Sequence, residues 1–353
     1  MEVSTVKKTI SILLILTLTV VLFAGCAGTP VIYYSDCTCP TGSHIATPEY
    51  TPTEGALKTG LAIIGSVAKS ENAKVADYDV TVVAVTVDDN GVIQDCIIDS
   101  VGAKVEFDDK GVITSDLSTE ILTKNELGDD YGMKAIAHAK YEWYEQAAAL
   151  ANYAKGKTVA ELKQGAVNEA GKAADADLAS TATIYLGGYV AAIEKAVANA
   201  QHLGAQAGDE LKLAVINSVG SSASATAEKA GTAQLDCDVV ALTQKDGKIT
   251  SCAIDSLQAK VSFDTTGTIS TDLTAVVATK NELGEGYGMK AWGNAKYEWN
   301  EQAASFAAYV TGKAAAEVAG IAVAEGKPSD VDLSATVTIA IGGFQALIAK
   351  AMQ

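Results

Sequence analysis

Two stretches of this chain place hydroxyl side chains among small residues just ahead of an apolar helical run: Asp177-Leu-Ala-Ser180-Thr-Ala-Thr183, leading into Gly187-Gly188, and the segment from Asp332 to Thr338. Backbone amides around such a turn, at the mouth of a helix, can bind a phosphate without any basic side chain. Further upstream lies Glu126-Leu-Gly128 followed by Tyr131-Gly132-Met133, then Glu142-Trp143 and Gly156-Lys157. Earlier still a strand-turn-strand closes on a glycine, as in Thr243-Gln-Lys-Asp-Gly247-Lys-Ile-Thr-Ser. The same residues have a purely structural reading, in which Asp177 and Asp332 cap helices, Tyr131 and Trp143 fill a core, and Glu126-Leu-Gly128 shapes a turn.

Other chemistries find little support. The chain has three histidines, His44, His138 and His202, and the position of His138 is Asn294 in a repeated segment, so a catalytic imidazole is not expected and His138 is read as surface. No phosphate-binding glycine loop, nucleophile elbow or metal-spaced cluster occurs, and the carboxylates are scattered without an acid–base pair.

The elements that must position these residues come as an internal repeat. Thr123-Lys-Asn-Glu-Leu-Gly-Asp-Asp-Tyr-Gly-Met-Lys134 recurs as Thr279-Lys-Asn-Glu-Leu-Gly-Glu-Gly-Tyr-Gly-Met-Lys290, a shift of about 156 residues that also relates Cys96 to Cys252 and Trp143 to Trp299. That period is too long for a stacking solenoid unit. Two self-sufficient homologous domains are therefore predicted, at 56–202 and 208–353, joined by the short stretch 203–207 like beads on a string. Within the first copy, β-branched runs at Leu61–Val67 and Tyr78–Val87 precede Asp88-Asp89-Asn90-Gly91, which turns the chain into Val92–Ser100; a fourth strand is expected at Ala103–Phe107. Helical spacing then runs from Ala135 to Ala154, a short helix follows Thr158, and a last one spans Gly187–Ala200. The fold class is α+β: in each domain an antiparallel sheet followed by covering helices. Cys237 and Cys252 flank the Asp246-Gly247 turn, either as a cross-strand disulfide or as two buried thiols, and Thr81 is taken as the counterpart of Cys237.

Composition bounds the setting. With 48% apolar residues the chain can build real cores, while a net charge of −17 would repel a phosphate backbone, which argues against nucleic acid as a partner. Lys7 and Lys8, the apolar run Ile10–Phe23 and Ala24-Gly25-Cys26 read as a lipoprotein signal peptide, residues 1–25, with Cys26 as the lipidated residue. Residues 26–55, with Pro30, Pro40, Pro48 and Pro52, form an extended tether. The chain is expected on the outer face of a bacterial membrane, held through a lipid anchor at the cell surface.

The order of the three motifs, found in both copies, resembles the FMN-binding domain family of flavin subunits in membrane NADH:quinone reductases and of extracellular electron-transfer lipoproteins. In that family the last hydroxyl residue of an Asp-x-x-[Ser/Thr]-Gly-Ala-[Ser/Thr] motif carries FMN as a phosphoester, placed there by a separate flavin transferase. By that resemblance Asp177, Ser180, Ala182 and Thr183 match the motif, with Thr181 where glycine is usual; Asp332 and Thr338 match in the second copy, while Ala335, Thr336 and Val337 depart from it. The resemblance implies that Thr183 and Thr338 anchor the phosphate and that Asp177 and Asp332 order the acceptor turn. It also implies that Glu126 and Glu282, with Tyr131 and Tyr287, line the ring site, the first copy being the stronger. The implied function is an extracytoplasmic flavin electron carrier fed by a membrane-bound donor; the alternative is a non-redox binding or structural envelope module of the same fold that has lost flavin.

Overall fold

A computed structural model describes residues 54–353; the expected signal peptide, Cys26 and the expected tether up to residue 53 lie outside the described residues. The described chain is α+β, with two three-stranded antiparallel sheets in the orders β1-β2-β3 and β4-β5-β6. In the first copy these are β1 (Lys58–Ser66), β2 (Val75–Val87) and β3 (Ile93–Glu106). Six helices follow: α1 (Lys124–Leu127), α2 (Met133–Ala137), α3 (Trp143–Ala154), α4 (Val159–Ala166), α5 (Ala176–Thr181) and α6 (Gly187–Ala198). The second copy repeats the order with β4 (Glu210–Ser218), β5 (Gly231–Lys245), β6 (Lys248–Phe263), α7 (Lys280–Leu283), α8 (Met289–Gly293), α9 (Trp299–Val310) and α10 (Ala315–Ala319). A two-stranded ribbon, β7 (Val323–Ala324) with β8 (Lys327–Pro328), then precedes α11 (Val331–Ser334) and α12 (Gly342–Ala351).

Local chemistry sets these boundaries. Asp246 and Gly247 both have positive φ, 51° and 73°, the tight turn that matches strand twist in a hairpin. The two strands expected at Val92–Ser100 and Ala103–Phe107 are one: β3 runs unbroken through Gly102, which still pairs with Asp79 in the ladder. The single helix expected from Ala135 to Ala154 is two, because His138 turns left-handed at φ 55° and Glu142 caps the start of α3. The Glu142 carboxylate is buried and also accepts the amides of Met133 (2.8 Å) and Lys134 (2.9 Å), so one anion satisfies the free donors of two helix starts. Glu298 repeats this with Met289 and Lys290.

The two copies are not separate beads. Val83, Val85 and Val87 of β2 face α3 and α6, while Val80, Val82 and Ala84 face a core shared with Leu235, Cys237, Val239 and Ala241 of β5. A sheet with helices on one face only and apolar residues on both must find a second cover, and here each sheet covers the other. The result is a stack of helices, sheet, sheet and helices. Phe107 and Phe263, equivalent residues, stack ring on ring at the seam with centroids 4.0 Å apart.

Contacts across the seam are reciprocal, as a pseudo-twofold requires. Ala73 N donates to Gly267 O (2.7 Å) and Ala225 N to Gly111 O (2.8 Å). Lys195 of α6 pairs with Glu282 (2.6 Å), and Lys350 of α12 pairs with Glu126. The joint is pinned as well, since Leu57 N donates to Ala205 O at 2.9 Å. All three cores lie within residues 61–351.

Cys96, Cys237 and Cys252 are free buried thiols, and Cys237 and Cys252 lie on opposite faces of their sheet, one in the shared core and one under the helices. Burial pushes Cys96 and Cys252 up to about 12, which keeps them unreactive. Ladder register also corrects the alignment of the copies. Leu242 opposes Cys252 as Val85 opposes Cys96, so β5 runs one residue out of step with β6, and the counterpart of Cys237 is Val80, not Thr81.

Candidate functional site

The hydroxyl-bearing turns are built alike in both copies. Asp175 caps α5, its carboxylate accepting the amides of Asp177 (3.0 Å) and Leu178 (2.9 Å), and Asp330 does the same for α11. The capping carboxylates are therefore two residues before the predicted ones; Asp177 and Asp332 lie exposed in the first turn of their helices. Ser180 Oγ bonds back to Asp177 O at 2.7 Å along the helix.

What orders the acceptor turn is a glutamine. Gln146, fully buried in α3, accepts at Oε1 from Thr183 N (2.7 Å), Ile184 N (3.1 Å) and Thr183 Oγ1 (3.2 Å), while its Nε2 donates to Tyr141 O (2.9 Å). Gln302 makes the matching set with Thr338, Ile339 and Tyr297. Those backbone amides are thus occupied, and the predicted amide cradle for a phosphate is not free at either turn. Thr183 and Thr338 are nevertheless exposed as residues, although each hydroxyl is turned to its glutamine. The signal for the glutamine was present in the repeat, as a Gln at the same distance after Glu142-Trp143 and Glu298-Trp299.

Next to Thr338 a cleft of about 440 Å³ opens, within the range that takes a cofactor-sized ligand. It is lined by Ile339 and Ala340 of the turn together with Tyr287, Met289, Trp299 and Phe344, and by Asp238 and Lys280. Tyr287 therefore meets the acceptor turn in one site. Glu282 does not line this cleft: it closes a capping box with Thr279 and pairs with Lys195 of the other copy. Glu126 likewise serves Thr123 and Lys350, in a polar hollow of about 330 Å³ at the seam.

The electrostatics of the cleft are mixed. Lys280 Nζ lies 4.8 Å from the ring centre of Trp299 and 5.4 Å from that of Tyr287, so the cation rests between two aromatic faces. Burial lowers its pKa, and the carboxylates of Asp238, Asp236 and Asp255 pull the other way. Burial also raises the Tyr287 phenol, aided by Asp236 and Asp238, and its hydroxyl bonds Gln258 Oε1 at 3.1 Å. Gly342 and Gly343 begin α12 without side chains, with Asp238 Oδ2 about 4.0 Å from where a Gly343 Cβ would be.

The first copy departs at a few positions. Tyr185 stands where the second copy has Ala340, and its ring lies against Gly187 at the start of α6, so close that a Cβ there would meet the hydroxyl at 2.7 Å. Tyr189 replaces Phe344 and accepts Trp143 Nε1 at 3.0 Å. Lys124 still sits 5.2 Å from the ring centres of both Tyr131 and Trp143. By register Thr81 stands in place of Asp238, and Gly102 in place of Gln258. Among the described residues no group of His, Cys, Asp and Glu could hold a metal ion, and no helix is long and apolar enough to cross a membrane.

No family model matches the chain, and no solved structure matches it. One stretch is similar to a protein named chlorophenol reductase from Desulfitobacterium hafniense, 56% identical over 41 residues. That stretch is 12% of this chain and 12% of the reductase, so the match spans about an eighth of that protein's length.

Proposed function

We propose that the protein is a lipid-anchored, extracytoplasmic flavin electron carrier, with FMN attached through Thr338 and, less readily, through Thr183. The observation that carries this reading is an exposed threonine, Thr338, directly before Ile339 and Ala340 in the lining of a cleft that also holds Tyr287, Trp299 and Phe344. Such walls suit a flat aromatic ring. With the turn amides held by Gln302, a phosphate here needs the covalent ester instead of a backbone cradle. A bound flavin would supply the chemistry, accepting electrons from a membrane-bound donor and passing them on. This chain's part is to hold the ring between aromatic faces, keep Lys280 beside it and fix the hydroxyl in place through Gln302. The short likeness to a protein named as a reductase is in keeping with a redox setting.

The reading ranks the second copy above the first, the reverse of the motif match, because Tyr185 covers the start of α6 where Ala340 leaves room. A non-redox envelope module is the second reading, favoured by Gln146 and Gln302, which satisfy both turns with no ligand. Intact mass of the protein co-expressed with a flavin transferase separates the two. An increment of one FMN less water, lost in Thr338→Val, is the expected result; unmodified mass together with failure to take up added FMN would leave the second reading in place.

A further inference from the structure

Two opposite charges line the second copy's cleft without meeting each other. Asp238 and Lys280 are both half-buried there, yet among the described residues neither side chain makes an ion pair or a hydrogen bond. Lys280 Nζ rests instead on the rings of Tyr287 and Trp299. The start of α12 lies beside Asp238, at Gly343, and a helix start favours a carboxylate, but the carboxylate's hydrogen-bond sites are not filled by it. Ser256 stands opposite Asp238 in the ladder, on the same face of the sheet, and its hydroxyl is buried with no hydrogen-bond partner.

The other charges around Lys280 are accounted for. Asp236 takes bonds from Gln234, Gln258 and Ser221, Asp255 accepts the amides of Ser256 and Asn281, and Lys260 is exposed. These charges also select the ligand. An anion would meet Asp238, with Asp236 and Asp255 in electrostatic reach of the same lysine, and a cation would meet Lys280. A neutral ring that donates at one point of its edge and accepts at the next satisfies both groups, while its faces suit Trp299 and Phe344.

We propose that Asp238 and Lys280 select the edge of the ring that enters this cleft: Asp238 accepts from a ring N–H, and Lys280 donates to the carbonyl next to it. The pyrimidine edge of a flavin has that pattern, an N–H between two carbonyls. The choice of ring rests on the flavin reading; the covalent bond to Thr338 is not needed for it. By register the first copy has Thr81 in place of Asp238, so it keeps the ammonium of Lys124 over its two rings and lacks the charged acceptor.

The test uses protein made without a flavin transferase, so that Thr338 carries no FMN. It is titrated into lumiflavin and into 3-methyllumiflavin, in which a methyl group replaces the N–H proton, and quenching of flavin fluorescence gives both affinities. Lumiflavin should bind about tenfold more tightly or better, the worth of one hydrogen bond to a charged acceptor. Asp238→Thr, which installs the first copy's residue, should bring the two ligands within about twofold of each other, with thermal unfolding unchanged. Lys280→Met should weaken both about tenfold and leave their ratio in place. Equal binding by the wild type, or no binding of lumiflavin, overturns the proposal. So does a preference that survives Asp238→Thr, because shape alone then excludes the methyl group. Displacement of lumiflavin by an equal concentration of tryptophan overturns it too, since the pair would then be holding the two charges of an amino acid. FMN found on Thr338 of a protein that ignores the N–H would leave the carrier reading standing without this inference. The N–H preference in a protein that never takes FMN covalently would do the opposite.

Discussion

The two copies share one order of strands and helices, yet they differ where a ligand could enter. At the seam they are interchangeable: stacked Phe107 and Phe263, mirrored backbone bonds, mirrored Lys–Glu pairs. At the clefts they are not, since Tyr185 lies over the start of α6 where the second copy has only Ala340, and Tyr189 accepts a bond from Trp143 that Phe344 cannot. The seam holds both halves and cannot drift in one alone, whereas each cleft is lined by its own copy's loops and can. Motif matching ranked the copies by acceptor sequence; the walls rank them the other way.

The sharpest way to break this contrast is to exchange the walls. Ala340→Tyr should abolish flavin attachment at Thr338, read by peptide mapping after co-expression with a transferase, and Tyr185→Ala should raise it at Thr183. Quenching of free riboflavin fluorescence gives an independent measure of ring binding. The first change should weaken it about tenfold or more, roughly 1.4 kcal/mol, and the second should strengthen it. If neither change moves either readout, the two rim residues do not decide which copy binds.

A smaller effect should be the same in both copies. Asp99 and Asp255 face the seam and are buried; burial pushes each from 3.8 up to about 6, against bonds from neighbouring amides and the hydroxyls of Thr123 and Thr279. The folded state therefore keeps these protons to about pH 6, whereas the unfolded chain releases them near 3.8. Between those values the native state binds more protons, so stability falls as pH rises from 4 to 6, by on the order of 1–3 kcal/mol per group. Urea titrations across that window should show the slope, and Asp99→Asn and Asp255→Asn should each remove about half of it. Unequal losses would mean that the seam is less symmetric than its geometry.

Much of the scaffold was legible from the sequence, and what was missed has physical causes. The repeat, the α+β order, the hairpin at Asp246-Gly247 and the closing helices could be read because turn residues and periodicity are local signals. The shared core was missed although β2 carries it openly: Val80 through Val87 is apolar on both alternating faces, a pattern that demands a cover on each side. The break before α3 was hidden because Glu142 reads as an ordinary helical residue, and only the fold shows that its carboxylate serves amides of two helices. Gln146 and Gln302 were overlooked for the same reason. A side chain that orders a turn far along the chain leaves no mark in the local pattern, and here the only trace was its recurrence at equal spacing.

The mirrored ion pairs give the finest test of the comparison. Lys195 meets Glu282 and also donates to Ile63 O at 2.8 Å; Lys350 meets Glu126 and donates to Val215 O at 2.7 Å. All four side chains are 27–36% exposed, so solvent screens both pairs and each coupling should be only about 0.2–1 kcal/mol. Double-mutant cycles with Lys195→Met and Glu282→Gln, and with Lys350→Met and Glu126→Gln, should return values equal within about 0.5 kcal/mol, both reduced in high salt. The single lysine changes should cost more than the couplings, because each ammonium also serves a carbonyl across its own sheet. A clear inequality would show that the copies have diverged at the seam as well as at the clefts, and the contrast between a fixed seam and free clefts would fail at its fixed end.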